Sequence, residues 1–146
     1  MSTRSRIGIE QPDGKIRSIY CHWDGYPSHN GRILLESYKD RDKILELMEI
    51  GDISSLADRV KPDPGRAHTF NDPQDGVCVS YRRDRCESGC ESIISESIDE
   101  LAEAADWCEY VYVFANGEWS VSEHSSGLKR FTCLNDVLKN KNNFTE

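Results

Sequence analysis

The nine residues Ile19–Pro27, IYCHWDGYP, bring groups suited to two kinds of chemistry close together. His22 and Asp24 are an imidazole and a carboxylate two positions apart, the types a general base and its orienter require. Trp23, Tyr26 and His29 add rings that can stack on a planar ligand while polar groups read its edge. The same residues have a structural use: Trp23 can plug a core, Asp24-Gly25 can form a turn, and Pro27 can stiffen it. A second group is Tyr81–Arg85, YRRDR, a basic island in an acidic half. The guanidiniums of Arg82, Arg83 and Arg85 match phosphate or carboxylate geometry. The competing reading is local pairing with Asp84 and nearby acids. Convergence of His22 with Arg82 or Arg85 would describe a nucleotide pocket.

A third group is the acid run from Glu87 to Glu109, which contains no basic residue. Glu96, Asp99, Glu100, Glu103 and Asp106 can form a solvated face. They can also imitate the spaced charges of a nucleic-acid backbone and occupy a basic groove on a partner. Cys86-x-x-x-Cys90 has the spacing of one zinc ligand pair, with His68 or His124 as further donors. No second well-spaced pair accompanies it, so neither a metal nor a cofactor is expected. The chain has no G-x-S-x-G elbow, phosphate-cradling glycine loop or dinucleotide fingerprint.

These groups must be held by regular elements. Ile7 and Ile9 alternate with polar residues, Pro12-Asp13-Gly14 makes a turn, and residues 16–23 read as the returning strand of a hairpin. The HWDGYP block therefore begins at a strand end. Residues 31–39 and 41–50 read as helices, with Asp40 capping the second and Gly51 ending it. Residues 61–76 hold three prolines and two glycines, which predicts an irregular segment, either functional or loosely ordered. VCVSYRR, residues 77–83, alternates as a strand. Residues 95–107 predict an amphipathic helix with Ile98, Leu101, Ala105 and Trp107 inward. EYVYVFANGEWSVSEH reads as a hairpin around Asn116-Gly117. YVYVF is apolar on both faces, as in a covered central strand. KRFTC adds a strand and LNDVLKN a short helix. The expected fold is a single α+β domain over residues 1–146: a mostly antiparallel sheet of about five strands, with three or four helices packed on one side.

The 146 residues suffice for one core without disulfide or metal. The six cysteines read as free thiols, with Cys21, Cys78, Cys108 and Cys133 as small core residues. No stretch suits a bilayer span, and the N-terminus lacks the apolar core of a signal peptide, so a cytoplasmic location is expected. Net charge is −8; residues 1–66 hold 11 basic and 11 acidic residues, and residues 67–146 hold 7 against 15. That balance argues against general nucleic-acid binding.

The blocks STRSRIGIE, SIYCHWDGYP, GDISSL and PQDGVCVSYRRDR resemble a family of small proteins encoded by tailed bacteriophages and prophages. The resemblance spans most of residues 2–90, with a weaker echo in the C-terminal hairpin. Glycine commonly follows RDR in that pattern. Here Cys86 stands there, which weighs against a metal role for it. The resemblance implies a viral accessory protein acting in the host cytoplasm. The expected function is non-catalytic: binding and neutralising a host component, such as a defence protein, through the acidic face or the aromatic loop. The alternative is a protein that sequesters a nucleotide or signal molecule between the HWDGYP loop and the RDR arginines. A weaker alternative is a hydrolase using His22 and Asp24. The oligomeric state stays open.

Overall fold

The computed structural model describes residues 2–124, 127, 128 and 130–139. Its frame is one mixed sheet built on two hairpins. β1 (Ser5–Glu10) and β2 (Ile16–Cys21) pair antiparallel, from Ser5 opposite Cys21 to Glu10 opposite Ile16. Gly14 at φ +85° lets the chain reverse between them. β6 (Tyr110–Ala115) and β7 (Glu118–Glu123) form the second hairpin, with Asn116 and Gly117 at φ +54° and +78°. Positive φ at both turn residues matches the twist of the flanking strands.

The hairpins join through a parallel ladder of β1 with β6, from Ser5 opposite Tyr110 to Ile9 opposite Phe114. Four short strands complete the sheet: β3 (Ile53–Ser55), β4 (Val79–Ser80), β5 (Ile93–Ser95) and β8 (Thr132–Cys133). The order is β4-β3-β2-β1-β6-β7-β8. β5 pairs with the first half of β2, and β3 meets its far end at Cys21.

The helices are α1 (Arg32–Ser37), α2 (Arg41–Glu49), α3 (Tyr81–Arg85), α4 (Ile98–Ala104) and α5 (Leu134–Lys139), with a π-helical turn at Pro27–Gly31. Asp40 caps α2 by accepting from the Asp42 N–H at 3.3 Å. α1, α2 and α5 cover one sheet face, where Leu34, Ile44, Leu47 and Leu134 meet Ile7, Ile19, Tyr112 and Trp119. The Tyr38 hydroxyl donates to the Ala57 carbonyl at 2.7 Å, and Trp119 Nε1 donates to the Tyr38 carbonyl at 2.8 Å.

Two expectations need correction. The helices do not lie on one side: α4 packs Leu101, Ala102 and Ala105 against Ile16, Val111 and Val113 on the opposite face. The cause is the double-sided apolar pattern of β6, which leaves a second surface to cover. Among the described residues the sheet also has eight strands rather than about five, and there are five α-helices rather than three or four. The elements the sequence did not announce, β3, β5 and α3, are three to five residues long. No helix among the described residues is long and apolar enough to cross a membrane.

Candidate functional site

The HWDGYP block extends β2 past its last ladder pair. The His22 N–H donates to the Ile53 carbonyl at 3.1 Å, and the Trp23 N–H donates to the Ser54 carbonyl at 3.0 Å. The chain then turns at Asp24, in the left-handed region at φ 57°. Gly25 follows in a cleft where a Cβ would lie 2.8 Å from the Thr3 carbonyl oxygen and from the Ser5 Cβ. Buried Asn30 closes the loop by donating from its amide to the Trp23 carbonyl at 3.2 Å.

This geometry divides the five candidate residues instead of converging them. The Tyr26 hydroxyl points at Asp24 Oδ1 at 3.5 Å, and His29 Nδ1 lies 3.0 Å from Asn30 Oδ1. Tyr26 also packs against the core beneath α1 and α2. Asp24, Tyr26 and His29 thus make structural contacts within the loop and its surroundings. His22 turns the other way. Its Nδ1 lies 2.8 Å from the Tyr20 hydroxyl, and its ring meets Trp23 edge-on at 4.7 Å. Burial pushes the Tyr20 phenol above its ordinary range, so it keeps its proton and can donate to Nδ1. His22 and Asp24 do not form the base and orienter pair. Trp23 does not plug the core; it is 43% exposed.

The arginines also separate. The expected strand over 77–83 stops at Ser80, because Ser80 caps α3. Its Oγ accepts from the Arg83 N–H at 3.1 Å, while its own N–H donates to Asp84 Oδ2 at 2.8 Å. Cys86, left-handed at φ 57°, ends the turn. One helical turn sends the three side chains in three directions. Arg82 donates to the Glu49 carbonyl. Arg83 turns inward to the Cys78 carbonyl at 2.6 Å and to Asp84 at 2.9 Å. Arg85 pairs with Glu87 at 2.8 Å and lies over the Phe70 ring at 4.6 Å and the Tyr81 ring at 5.5 Å. The three do not form a clamp. Ser54 lies between the halves: its carbonyl holds the Trp23 N–H and its side chain lies against the Tyr81 phenol.

Asp84 anchors a latch that holds the irregular segment. Gln74 N–H donates to His68 Nδ1 at 3.0 Å, so that nitrogen is the acceptor and Nε2 carries the hydrogen. Nε2 then donates to Asp84 Oδ2 at 3.1 Å. The side chains of His68 and Asp84 are only 4% and 3% exposed. Burial pushes the Asp84 carboxyl up, but the Arg83 bond and charge, the Ser80 N–H and His68 outweigh it and hold the group below its ordinary value. Gln74 adds bonds to both sides of Asp63: its Oε1 accepts the Asp63 N–H at 2.8 Å and its amide donates to the Asp63 carbonyl at 3.2 Å. Residues 61–76 are therefore tied down rather than loosely ordered.

The acid run behaves differently. Glu96, Asp99, Glu100, Glu103 and Asp106 are all exposed. Lys15 pairs with Glu96 at 3.2 Å. Among the described residues, Glu91, Glu100, Glu103 and Asp106 have no ion-pair partner. Ser97 caps α4 by accepting from the Glu100 N–H at 3.2 Å. The helix ends at Ala104, so Trp107 falls beyond the amphipathic phase and does not face in; it is 73% exposed. Ile93 and Ile94 are 40% and 50% exposed. Trp107 lines a concavity of about 290 Å³ with Arg4, Asp106, Cys108, Glu109 and His124. There Glu109 accepts from the Arg4 N–H at 2.6 Å, and its carbonyl accepts from the His124 N–H at 2.8 Å. Burial pushes the Cys108 thiol up to about 12, which keeps it protonated.

Two further concavities lie elsewhere: about 250 Å³ beside Leu35, Phe114 and Trp119, and about 480 Å³ along residues 66–75. None of the three is lined by His22, Trp23 or the α3 arginines. All six cysteines are free; Cys86 is exposed, and Cys133 is half-buried rather than a core residue. Sequence reasoning missed Ile93, Ile94 and the exposure of Trp107. The available signal was the chain of acids around them, which leaves little apolar surface to cover them. No protein-family model matches this chain, and no curated protein or solved structure matches it.

Proposed function

We propose that the protein is a non-catalytic binding protein that presents its acidic 91–109 segment to a basic surface on a partner protein. One observation carries this reading. Four large apolar side chains stand exposed among the described residues, and three of them, Ile93, Ile94 and Trp107, lie inside the acid run. Apolar anchors surrounded by charges of one sign are what a specific, electrostatically steered interface requires. The carboxylates would guide approach, and Trp107 with its neighbouring hollow would supply the buried contact. The resemblance to tailed-phage proteins supports a host component as the partner and neutralisation of that component, such as a defence protein, as the outcome.

The test is capture from bacterial lysate with the wild-type chain, Trp107→Ala, and the triple variant Glu100→Gln, Glu103→Gln, Asp106→Asn. Capture should fall steeply with salt, because exposed charges are screened over roughly 10 Å at 0.1 M. It should also fall in both variants. A partner held equally by all three proteins at high salt refutes the reading.

A second reading keeps a nucleotide-like ligand on the aromatic side of the molecule. Its support is the exposed Trp23 beside His22, with Arg85 over Phe70 and Tyr81 across Ser54. A ring could stack on Trp23 while Arg85 meets a phosphate. Thermal shift against mono- and cyclic nucleotides tests it. A rise of several degrees that is lost in Trp23→Ala supports this reading, and no response across the panel removes it.

A further inference from the structure

We propose that the outer edge of β5 is a strand-addition site, and that its occupant is an extended partner segment whose apolar residues are bracketed by lysine or arginine. This rests on the reading of residues 91–109 as the docking segment and names how part of that segment engages.

β5 pairs antiparallel with β2 on one side, with Ile16 opposite Ser95, Arg17 opposite Ile94 and Ser18 opposite Ile93. Among the described residues no strand pairs with its other side. An unpaired strand edge carries N–H and C=O groups ready to pair with another chain. Natural edges are commonly blunted by an inward charge, a proline or a lysine within the strand. Here the strand is short, at three residues, but Ser92-Ile93-Ile94-Ser95 include no charge and no proline.

Side-chain alternation makes the edge adhesive on both faces. Ile93 shares a face with Ser18 and Ile16, on the α4 side. Ile94 shares the other face with Arg17, whose guanidinium reaches Glu49 of α2 at 3.2 Å. An added strand would therefore cover one isoleucine above the sheet and one below, while its backbone completed the ladder.

Charge selects the occupant. Glu91 and Glu96 bracket the strand. A second copy paired antiparallel, with Ile93 opposite Ile94, would set Glu91 opposite Glu96. Parallel in-register pairing would set each glutamate beside its own copy. Like charges directly opposite are destabilising, and the chain carries −8 overall. A strand with basic residues outside its apolar pair is attracted by Glu91, which has no ion-pair partner among the described residues, and more weakly by Glu96, which already holds Lys15 at 3.2 Å.

The experiment uses a fluorescein-labelled peptide with a central valine pair flanked on each side by a threonine and then a lysine pair, measured by anisotropy with the full chain. The lysine-bracketed peptide should bind, and a glutamate-bracketed one should not. N-methylation along one peptide edge should weaken binding about tenfold, the loss of a hydrogen bond or so, and along the other edge should not. Ile93→Ser with Ile94→Ser, both at exposed positions, should weaken it by a similar factor while the melting temperature holds. Hydrogen exchange at residues 93–95 should slow in the complex. In the α4 triple variant the difference between the two methylated edges should persist, which separates this proposal from the α4 contribution. Binding indifferent to N-methylation and to both isoleucines overturns the proposal. So does no binding at about 1 mM protein, a concentration at which even weak association shows. Self-association by sedimentation that Ile94→Lys abolishes would make a second copy the occupant and also overturn it.

Discussion

Asp84→Ala removes the centre of the latch, and its cost can be worked from the bonds it breaks. The carboxylate accepts from Arg83 Nε at 2.9 Å, Arg83 Nη2 at 3.0 Å, Ser80 N–H at 2.8 Å and His68 Nε2 at 3.1 Å. Breaking a buried ion pair from one side costs about 3–5 kcal/mol. Arg83 is 25% exposed and keeps the Val60 and Cys78 carbonyls, so water and those acceptors offset part of the loss. The expected destabilisation is therefore near the lower bound, about 3 kcal/mol, a large share of a typical total of about 5–15 kcal/mol. Urea denaturation reads this directly: with a slope of about 1.5 kcal/mol per molar, the midpoint falls by about 2 M. Limited proteolysis should cut first within residues 61–76, because His68 and Gln74 lose their anchor. The wild-type chain carries the same dependence on pH. The folded carboxyl is held below its ordinary value of about 3.9, so its contribution is complete above that value. It is lost as pH falls through the lowered folded pKa. A loss below about 1 kcal/mol with unchanged cleavage of residues 61–76 would refute the argument, since one neutral hydrogen bond alone contributes that much.

Gly51→Ala should destabilise by more than about 2 kcal/mol in the same assay, because a Cβ at φ +75° would sit 2.2 Å from the Cys90 carbonyl oxygen. Trp119→Phe should cost about 1–3 kcal/mol by leaving the buried Tyr38 carbonyl without its 2.8 Å donor, seen as a lower midpoint with an unchanged slope. Thiol titration with a chromogenic disulfide should label exposed Cys86 first, and Cys21, Cys78 and Cys108 only on unfolding. The Cys21 thiol is pushed up to about 12 by burial, so early labelling there would contradict its place in the core.

Local signals announced the elements that local physics builds. The β1–β2 and β6–β7 hairpins follow from period-two alternation around Pro12-Asp13-Gly14 and Asn116-Gly117. α2 follows from Asp40, its apolar stripe and Gly51. β3 and β5 are three residues long, too short for any period to show, while β4 and β8 fall inside the segments 77–83 and KRFTC that read as strands. The parallel register of β1 with β6 joins segments about a hundred residues apart and leaves no local trace. At residues 77–83 the alternation pointed to a strand, but the Ser80 cap and the reach of Asp84 back to its N–H turned the chain into α3. The site residues follow the same division. His22 and Trp23 were visible as costly side chains at a strand end. Which way each would point depended on Asn30, Ser54 and Tyr20, none of which stands out in the sequence. The acids of α4 were legible because solvent exposure requires no partner. Trp107 was misplaced because the helix ends at Ala104, before its periodic pattern does.

The parallel ladder between β1 and β6 also sets an order of events during synthesis. Arg4 finds its partner Glu109 across 105 positions of chain. At about 5–20 residues per second, translation needs about 5–20 seconds to supply that partner after the first hairpin emerges. Throughout that interval one flank of β1 stays open, with Ile7 and Ile9 not yet covered by Tyr112 and Phe114. A growing chain in this condition is a natural client for ribosome-associated chaperones, and messages truncated before Tyr110 should yield aggregates rather than partly folded protein.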